Sequence, residues 1–452
     1  MKTRFAKSVL KPGAFLIAGL LLAGGDPAVA TPQVSKQSDP VEEASATLSQ
    51  TIATHYAEQA QLMQMQAQAF ALLREGVSVS PLTASPTVVQ DVLGQGGLDW
   101  LAGQGNPLVT GFQPIAGRQG LLVSYTIPTT DSLAFLRGRS WTYDNAVGAI
   151  AFLLQGRPGA ARTVLAALQG LMAPNGVLGF SYQVNSSFVD GHVRTGTLAW
   201  VGYAMALYQR QARDASFQAS AEKIGSYLKG LQLSSGSLRG GPDVSWVSTE
   251  HNVDAYFFYR ELYRLTGNSA YLTTAGQIKN SLLTNHWVKT SKTSGHFLQG
   301  VGDPTPALDA NSWGAIFLSA VGRATEATQA LQYVESAFKN TQKISGTSAR
   351  ISGYSPDAAK KTVWLEGTAG VAVAYQRLGQ IAQADSVLDQ IHTLQTAWQS
   401  AGKWNGALPY ATPRYKNSDG DTYSDLESVA STGWLQIALD LQDGSSLFWD
   451  KD

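Results

Sequence analysis

Two kinds of apolar segment alternate along most of the chain. Segments 141–154, 197–209, 249–265, 308–320, 363–378 and 431–441 are apolar and aromatic nearly all round. Between them, stretches 160–172, 217–231, 271–283, 325–338 and 381–397 keep Ala, Leu, Ile and Val on one face. A stripe at the 3.6-residue period predicts a surface helix, and an apolar surface all round predicts a buried one. One internal residue from each buried segment (Trp141, Trp200, Asp254, Trp313, Glu366, Trp434) gives gaps of 59, 54, 59, 53 and 68 residues. A repeat of that length, with one buried and one half-exposed helix per unit, describes stacked helical hairpins. An open stack needs polar caps at both ends. Here the sixth buried segment stands almost at the C-terminus with no outer partner after it. The Ala- and Gln-rich helical stretch 48–74 is an orphan that can supply one. The expected fold is therefore all-α, six hairpins closed into an (α/α)6 barrel over residues 48–452. Region 76–130 reads as mixed, broken by Gly and Pro, and 121–127 and 177–184 read as short β pieces in loops.

The N-terminus reads as an address. Lys2, Arg4, Lys7 and Lys11 precede the apolar run 14–24, and Ala28, Val29 and Ala30 supply the small residues of a cleavage site. This is the pattern of a secretory signal peptide over 1–30, followed by a loose polar tail over 31–47. The run is too short for a membrane span, which takes about 20 apolar residues. The chain is expected to be secreted or periplasmic.

Composition narrows the function. The 452 residues carry 33 Lys+Arg and 33 Asp+Glu, and charged residues make up 15%, below the roughly 25% of an ordinary soluble domain. Without a basic excess, nucleic-acid binding is not expected. With 11 Trp, 17 Tyr, 15 Phe and 44% hydrophobic residues, the chain has material for a large core. It has no Cys, so disulfides, thiolate metal sites and a cysteine nucleophile are excluded. The six His are scattered and show no transition-metal spacing. No metal or cofactor is expected, no membrane span beyond the leader, and a monomer is favoured. The acidic run from Asn417 to Asp425 resembles a calcium loop, but Gly420 stands fourth where an EF-hand needs Gly sixth, so a solvated turn is the simpler reading. Asn185 fits a glycosylation acceptor by chance.

Polar groups gather where the buried segments begin. Tyr143, Asp144 and Asn145 open the first; His192, Arg194 and Thr195 lead into the second. Glu250, His251, Asn252 and Asp254 open the third, Asp309 and Asn311 the fourth, Trp364, Glu366 and Thr368 the fifth, and Glu427 and Ser431 the sixth. Helix capping accounts for many of these, because Ser, Thr, Asp and Asn cap N-termini and acids suit the first turn. Capping explains poorly the cluster from Glu250 to Asp254. Those two carboxylates lie at i and i+4, on one face of a buried helix, where they repel each other unless a partner or a function holds them. Glycosidic cleavage needs two carboxyl groups flanking one bond, with their pKa values pushed apart. Aromatic rings stack on sugar faces, and Trp141, Tyr143, Trp246, Trp313, Tyr354 and Trp364 are candidate platforms.

The succession WTYDNA, TGTLAW, STEHNVDAY, LDANSWGA, VWLEGTAG and STGWLQIA resembles the six-hairpin glycosidase superfamily over about residues 130–442. The resemblance implies a cleft at the N-termini of the inner helices, a poly- or oligosaccharide substrate and an inverting mechanism. The chosen catalytic pair is Glu250 and Glu366, in units three and five, each with a Trp neighbour; Asp144 and Asp309 are the reserves. Trp141, Tyr143, His192, Arg194, Trp246, His251, Asn252, Asp254, Trp313 and Trp364 are the expected substrate-binding residues. Two alternatives stay open. A polysaccharide lyase on the same toroid would use His251, Asn252, Tyr256, His192 and Arg194, although acids outnumber bases there. An exported protein that binds glycan without cutting is the other.

Overall fold

The computed structural model describes residues 86–442 and 446–451. Twelve principal helices run in pairs. They are α1 (Pro86–Gln104), α2 (Thr142–Leu154), α3 (Pro158–Leu171), α4 (Thr195–Ala212), α5 (Gln218–Lys229), α6 (Thr249–Thr266), α7 (Ser269–Ser281), α8 (Leu308–Ala320), α9 (Ala324–Phe338), α10 (Leu365–Arg377), α11 (Ile381–Ser400) and α12 (Val429–Gln442). The even-numbered helices are buried nearly all round; in α8 eleven residues from Leu308 to Ser319 are buried. The odd-numbered ones bury one stripe, as α3 does with Ala161, Val164, Leu165 and Leu168, the i, i+3, i+4, i+7 spacing of a surface helix.

Packing follows a cycle. Helix α2 packs on α4, α4 on α6, α6 on α8, α8 on α10, α10 on α12, and α12 returns to α2. Each inner helix also packs on its own odd-numbered partner, and the partner of α12 is α1. This corrects one expectation: the outer helix of the sixth unit is Pro86–Gln104, while stretch 48–74 lies outside the described residues, as do the leader and tail. Gly94, Gly96 and Gly97 made region 76–130 read as broken. They sit where α1 presses on Leu439, Trp404 and Gln436, each within 2.9 Å of where a Cβ would stand.

Strands are short and lie in the loops. β1 (Arg139–Trp141), β2 (Ser181–Gln183) and β3 (Val189–Asp190) form a small antiparallel sheet ahead of α2 and α4. Four two-stranded ribbons follow: β4 (Trp287–Lys289) with β5 (Gly295–Phe297), β6 (Lys339–Lys343) with β7 (Arg350–Tyr354), β8 (Val363–Trp364) with β9 (Ala411–Thr412), and β10 (Tyr415–Lys416) with β11 (Thr422–Tyr423). The stretch 121–127 makes only an isolated bridge from Tyr125 to Ser428. No helix among the described residues is long and apolar enough to cross a membrane.

The loops are pinned to the inner helices by a repeated clasp. Four residues past each N-cap, Asn145, Asn252 and Asn311 accept from the backbone N–H of Leu122, Leu238 and Phe297 at 2.8, 2.7 and 2.8 Å. Asn252 and Asn311 return their amide N–H to the carbonyls of the same two loop residues at 3.1 Å. Thr368 and Thr432 perform the acceptor half with Tyr354 and Leu408. Buried amides must find partners, and these side chains satisfy both the loop and the helix end. The opposite end of the ring is filled by the C-terminal residues, with Phe448 and Trp449 fully buried against Trp200, Trp434 and Phe257.

Candidate active site

The site follows from helix register. Counting from the N-caps Trp141, Arg194, Ser248, Ala307 and Trp364, and from Ser428 ahead of α12, the second residue on is Tyr143, Gly196, Glu250, Asp309, Glu366 and Ala430. All six line one cavity of about 680 Å³. The sixth residue on is Val147, Trp200, Asp254, Trp313, Gly370 and Trp434. In this deeper layer Trp313 stacks on Trp434 at 5.1 Å, 12° from parallel. Gly370 leaves room for that pair, since a Cβ there would stand 2.9 Å from the Trp313 indole nitrogen. One helical turn separates the layers: a polar ring above, an aromatic floor with Asp254 set into it below.

Five carboxyl groups from the inner helices therefore share one cavity, Asp144, Glu250, Asp254, Asp309 and Glu366, and the exposed Asp421 stands at its edge. No Lys or Arg is among its lining residues. Burial without countercharge favours the protonated form. Burial pushes Glu366 up to about 8, against the opposing Tyr143 hydroxyl and Trp364 indole. Burial likewise brings Asp144 to about 7, opposed by Ser124. Glu250 is raised well above the ordinary range by burial and then by the charges of Asp309, Asp254 and Glu366. A hydrogen bond between Glu250 and Asp309 raises the first and lowers the second. Burial raises Asp309 overall, opposed by the Ala310 backbone N–H at 2.7 Å and by the Glu250 bond. Asp254 is raised well above its usual value, chiefly by burial, against the opposing Trp200 indole.

Glu366 is held from one side. The Trp434 indole N–H donates to the Tyr143 hydroxyl at 2.8 Å, and that hydroxyl donates to Glu366 Oε1 at 2.6 Å. The chain runs from α12 through α2 to α10, passing the small Ala430. It fixes the carboxyl through Oε1.

The other sequence-chosen residues divide. Trp141, Tyr143, His251, Trp313 and Trp364 line the cavity with the acids. His251, lowered to about 4 by burial and by Arg194, is neutral. Trp246 is 47% exposed at the rim, 5.4 Å from the His251 ring and 5.9 Å from the Arg194 guanidinium. Arg194 is paired with Asp243 at 2.8 Å outside the lining. Asn252, His192 and Tyr354 stand outside the lining. Asn252 is a loop clasp with its amide fully engaged by backbone. His192 points to solvent and pairs with Asp190 at 2.6 Å. Tyr354 is buried and bonded to Glu335 in the wall between α9 and β7. The lyase candidate Tyr256 packs in the core on Phe257 and Phe317.

Residues outside the expected set also reach the cavity. Tyr125, Phe180, Trp200, Tyr410 and Tyr423 add aromatic wall, and Leu133, Phe135 and Leu136 add aliphatic and ring surface at the mouth. The Asn417–Asp421 turn is the tip of the β10–β11 ribbon, with the Asn417 side chain accepting from the backbone N–H of Asp419 and Asp421. Among the described residues no three His, Asp or Glu side chains are placed to hold a metal ion together.

No protein-family model matches the chain, and no curated protein matches it in sequence. Solved structures do match in fold. A glycosidase in complex with glucose superposes with a TM-score of 0.54 at 12% identity, over 79% of this chain and 98% of that one. A family 76 glycoside hydrolase (mannosidase) from Bacteroides thetaiotaomicron gives 0.55 at 11%, over 79% and 99%. A D-mannose isomerase gives 0.54 at 12%, over 81% and 100%. At these identities the likeness is one of fold alone.

Proposed function

We propose that this chain is an exported glycoside hydrolase built on an (α/α)6 barrel, with Glu366 as the proton donor and the Glu250–Asp309 pair as the base. One observation carries the reading: Glu366, held by Tyr143, and the hydrogen-bonded pair Glu250 and Asp309, all raised by burial, converge in a single aromatic-walled cavity from three neighbouring inner helices. Glycosidic cleavage needs this asymmetry. Glu366 gives its proton to the leaving oxygen as the C–O bond breaks, and the Tyr143 bond positions the carboxylate that remains. Water attacks the anomeric carbon from the side of the Glu250–Asp309 pair, which takes the water's proton. The pair's negative charge also stabilises the oxocarbenium-like transition state. Attack by water gives inversion. Trp141, Trp364 and the floor pair Trp200 and Trp313 offer faces to the sugar.

The cavity's composition speaks against the alternatives. A lyase acting beside a uronate carboxylate needs a cation to neutralise it, and the lining has none. Proton shuttling by paired histidines, the expectation for sugar isomerisation, finds only His251 there. The test is a panel of neutral, amino-sugar and uronic polysaccharides with the product anomer followed by NMR. The reading expects hydrolysis with inversion. Unsaturated, ultraviolet-absorbing product would favour the lyase, and binding without cleavage would leave a glycan-binding protein.

A further inference from the structure

Two surface segments ahead of neighbouring inner helices form one wall of the cavity. The first, 126–137, precedes α2 and places Ile127, Leu133, Phe135 and Leu136 in the lining. The second, 414–426, precedes α12 and places Asp421, Thr422, Tyr423 and Leu426 there. Apart from backbone ties at their bases, such as Thr126 N–H to the Glu427 carbonyl at 3.2 Å, one side chain joins them. Arg414 donates through Nη1 and Nη2 to the two oxygens of Asp131 at 3.0 and 2.7 Å, and through Nε to Asp425 Oδ1 at 2.8 Å. A fourth bond reaches Ser132 Oγ at 3.2 Å. This is the planar two-pronged geometry that only Arg supplies. Tyr415 extends the tie to a third loop through Asp357 at 3.0 Å.

The apolar side chains on the first segment give the latch its importance. Phe135 is 74% exposed although it lines the cavity; Ile127 is buried and the Arg137 carbonyl accepts from Gln183 at 2.6 Å, so the two ends of the segment are anchored and the Asp131–Arg414 bond holds its middle. A chain threading the cavity past this wall would have to part the two segments that Arg414 ties together.

We propose that Arg414 is a specificity-determining residue: by locking 126–137 to 414–426 it closes one side of the cavity, so that the site accepts the end of a glycan chain in preference to its interior. The inference rests on the glycosidase reading, and its test separates the two. Hydrogen exchange is compared in the wild type, Arg414→Ala and Arg414→Lys, together with kcat and KM on short and long oligomers of whichever glycan the panel selects. Exchange is expected to quicken at least tenfold in both segments at once in Arg414→Ala. The ratio of kcat/KM for long over short substrates should rise at least fivefold, chiefly through KM for the short one, with kcat little changed. Arg414→Lys, lacking the fork, should follow Arg414→Ala. Faster exchange in 414–426 alone, or an unchanged length preference once both segments loosen, overturns the proposal. If the wild type cleaves no glycan, the hydrolase reading and the length preference fall together. The exchange data then decide by themselves whether Arg414 couples the two segments.

Discussion

Both ends of the helical ring bury acids, and they treat them oppositely. At the end where the inner helices finish, Glu261 is 1% exposed and meets Arg210 at 2.7 Å and Arg264 at 3.2 Å. Asp450 from the C-terminal tail bonds the same two arginines, and Arg377 holds the Phe448 carbonyl. Burial raises Glu261, but the two guanidinium groups oppose the shift. At the end where the helices begin, five acids carried by the inner helices enclose a cavity with no Lys or Arg in its lining. A buried charge left without a partner costs several kcal/mol, so the group takes up a proton. The paired end staples the tail across the ring. The unpaired end stores neutral acids and pays for them in stability.

Four changes probe that contrast. The largest effect is expected at the cavity. Glu366→Gln and Glu250→Gln should each lower glycan hydrolysis by about a thousandfold while the melting temperature holds or rises, as when a strained site is relieved. At the paired end the outcome reverses: Arg210→Ala should cost up to about 3 kcal/mol in chemical denaturation, because a buried carboxylate loses a partner. A smaller effect follows from pH. Glu366 near 8 and Asp144 near 7 lie above their ordinary values of 4.5 and 3.8, so the folded chain keeps protons that the unfolded chain has released. Their contribution to stability is complete below the ordinary values and is lost as pH rises through about 7 to 8. Thermal melts from pH 5 to 9 should decline over that window, and Glu366→Gln should flatten the decline. The smallest effect is expected at His192→Ala, within about 0.5 kcal/mol in stability and with activity unchanged, since the imidazole faces solvent beside Asp190.

The repeat was legible because burial writes a strong pattern. Segment 308–320 coincides with α8 (Leu308–Ala320), and the other buried segments fall within two or three residues of their helices. α1 was hidden because three Gly, placed for close packing, mimic a loop. Gathering the acids at one end was legible too, but their depth was not. Trp200, Asp254, Trp313 and Trp434 share one layer, whereas Trp141 is an N-cap and Glu366 belongs to the layer above, so the residues chosen to mark the repeat mixed three levels. Counting from the N-cap would have aligned Glu250, Asp309 and Glu366, and raised Asp309 from reserve to partner of Glu250. Asn252 misled for a physical reason: a polar residue in a first turn looks the same whether it faces a ligand or clasps a buried loop. Tyr125, Tyr410 and Tyr423 gave no signal, because they come from irregular segments that only the folded ring brings to the cavity.

The central claim is that burial without countercharge keeps a cavity carboxyl protonated at neutral pH. Carbon-13 NMR of the chain labelled at Glu side-chain carboxyls tests it, with Glu366→Gln assigning the resonance. The account predicts that the Glu366 signal titrates near 8. A midpoint in the ordinary carboxylate range near 4–5 would contradict it and leave the cavity without its proton donor.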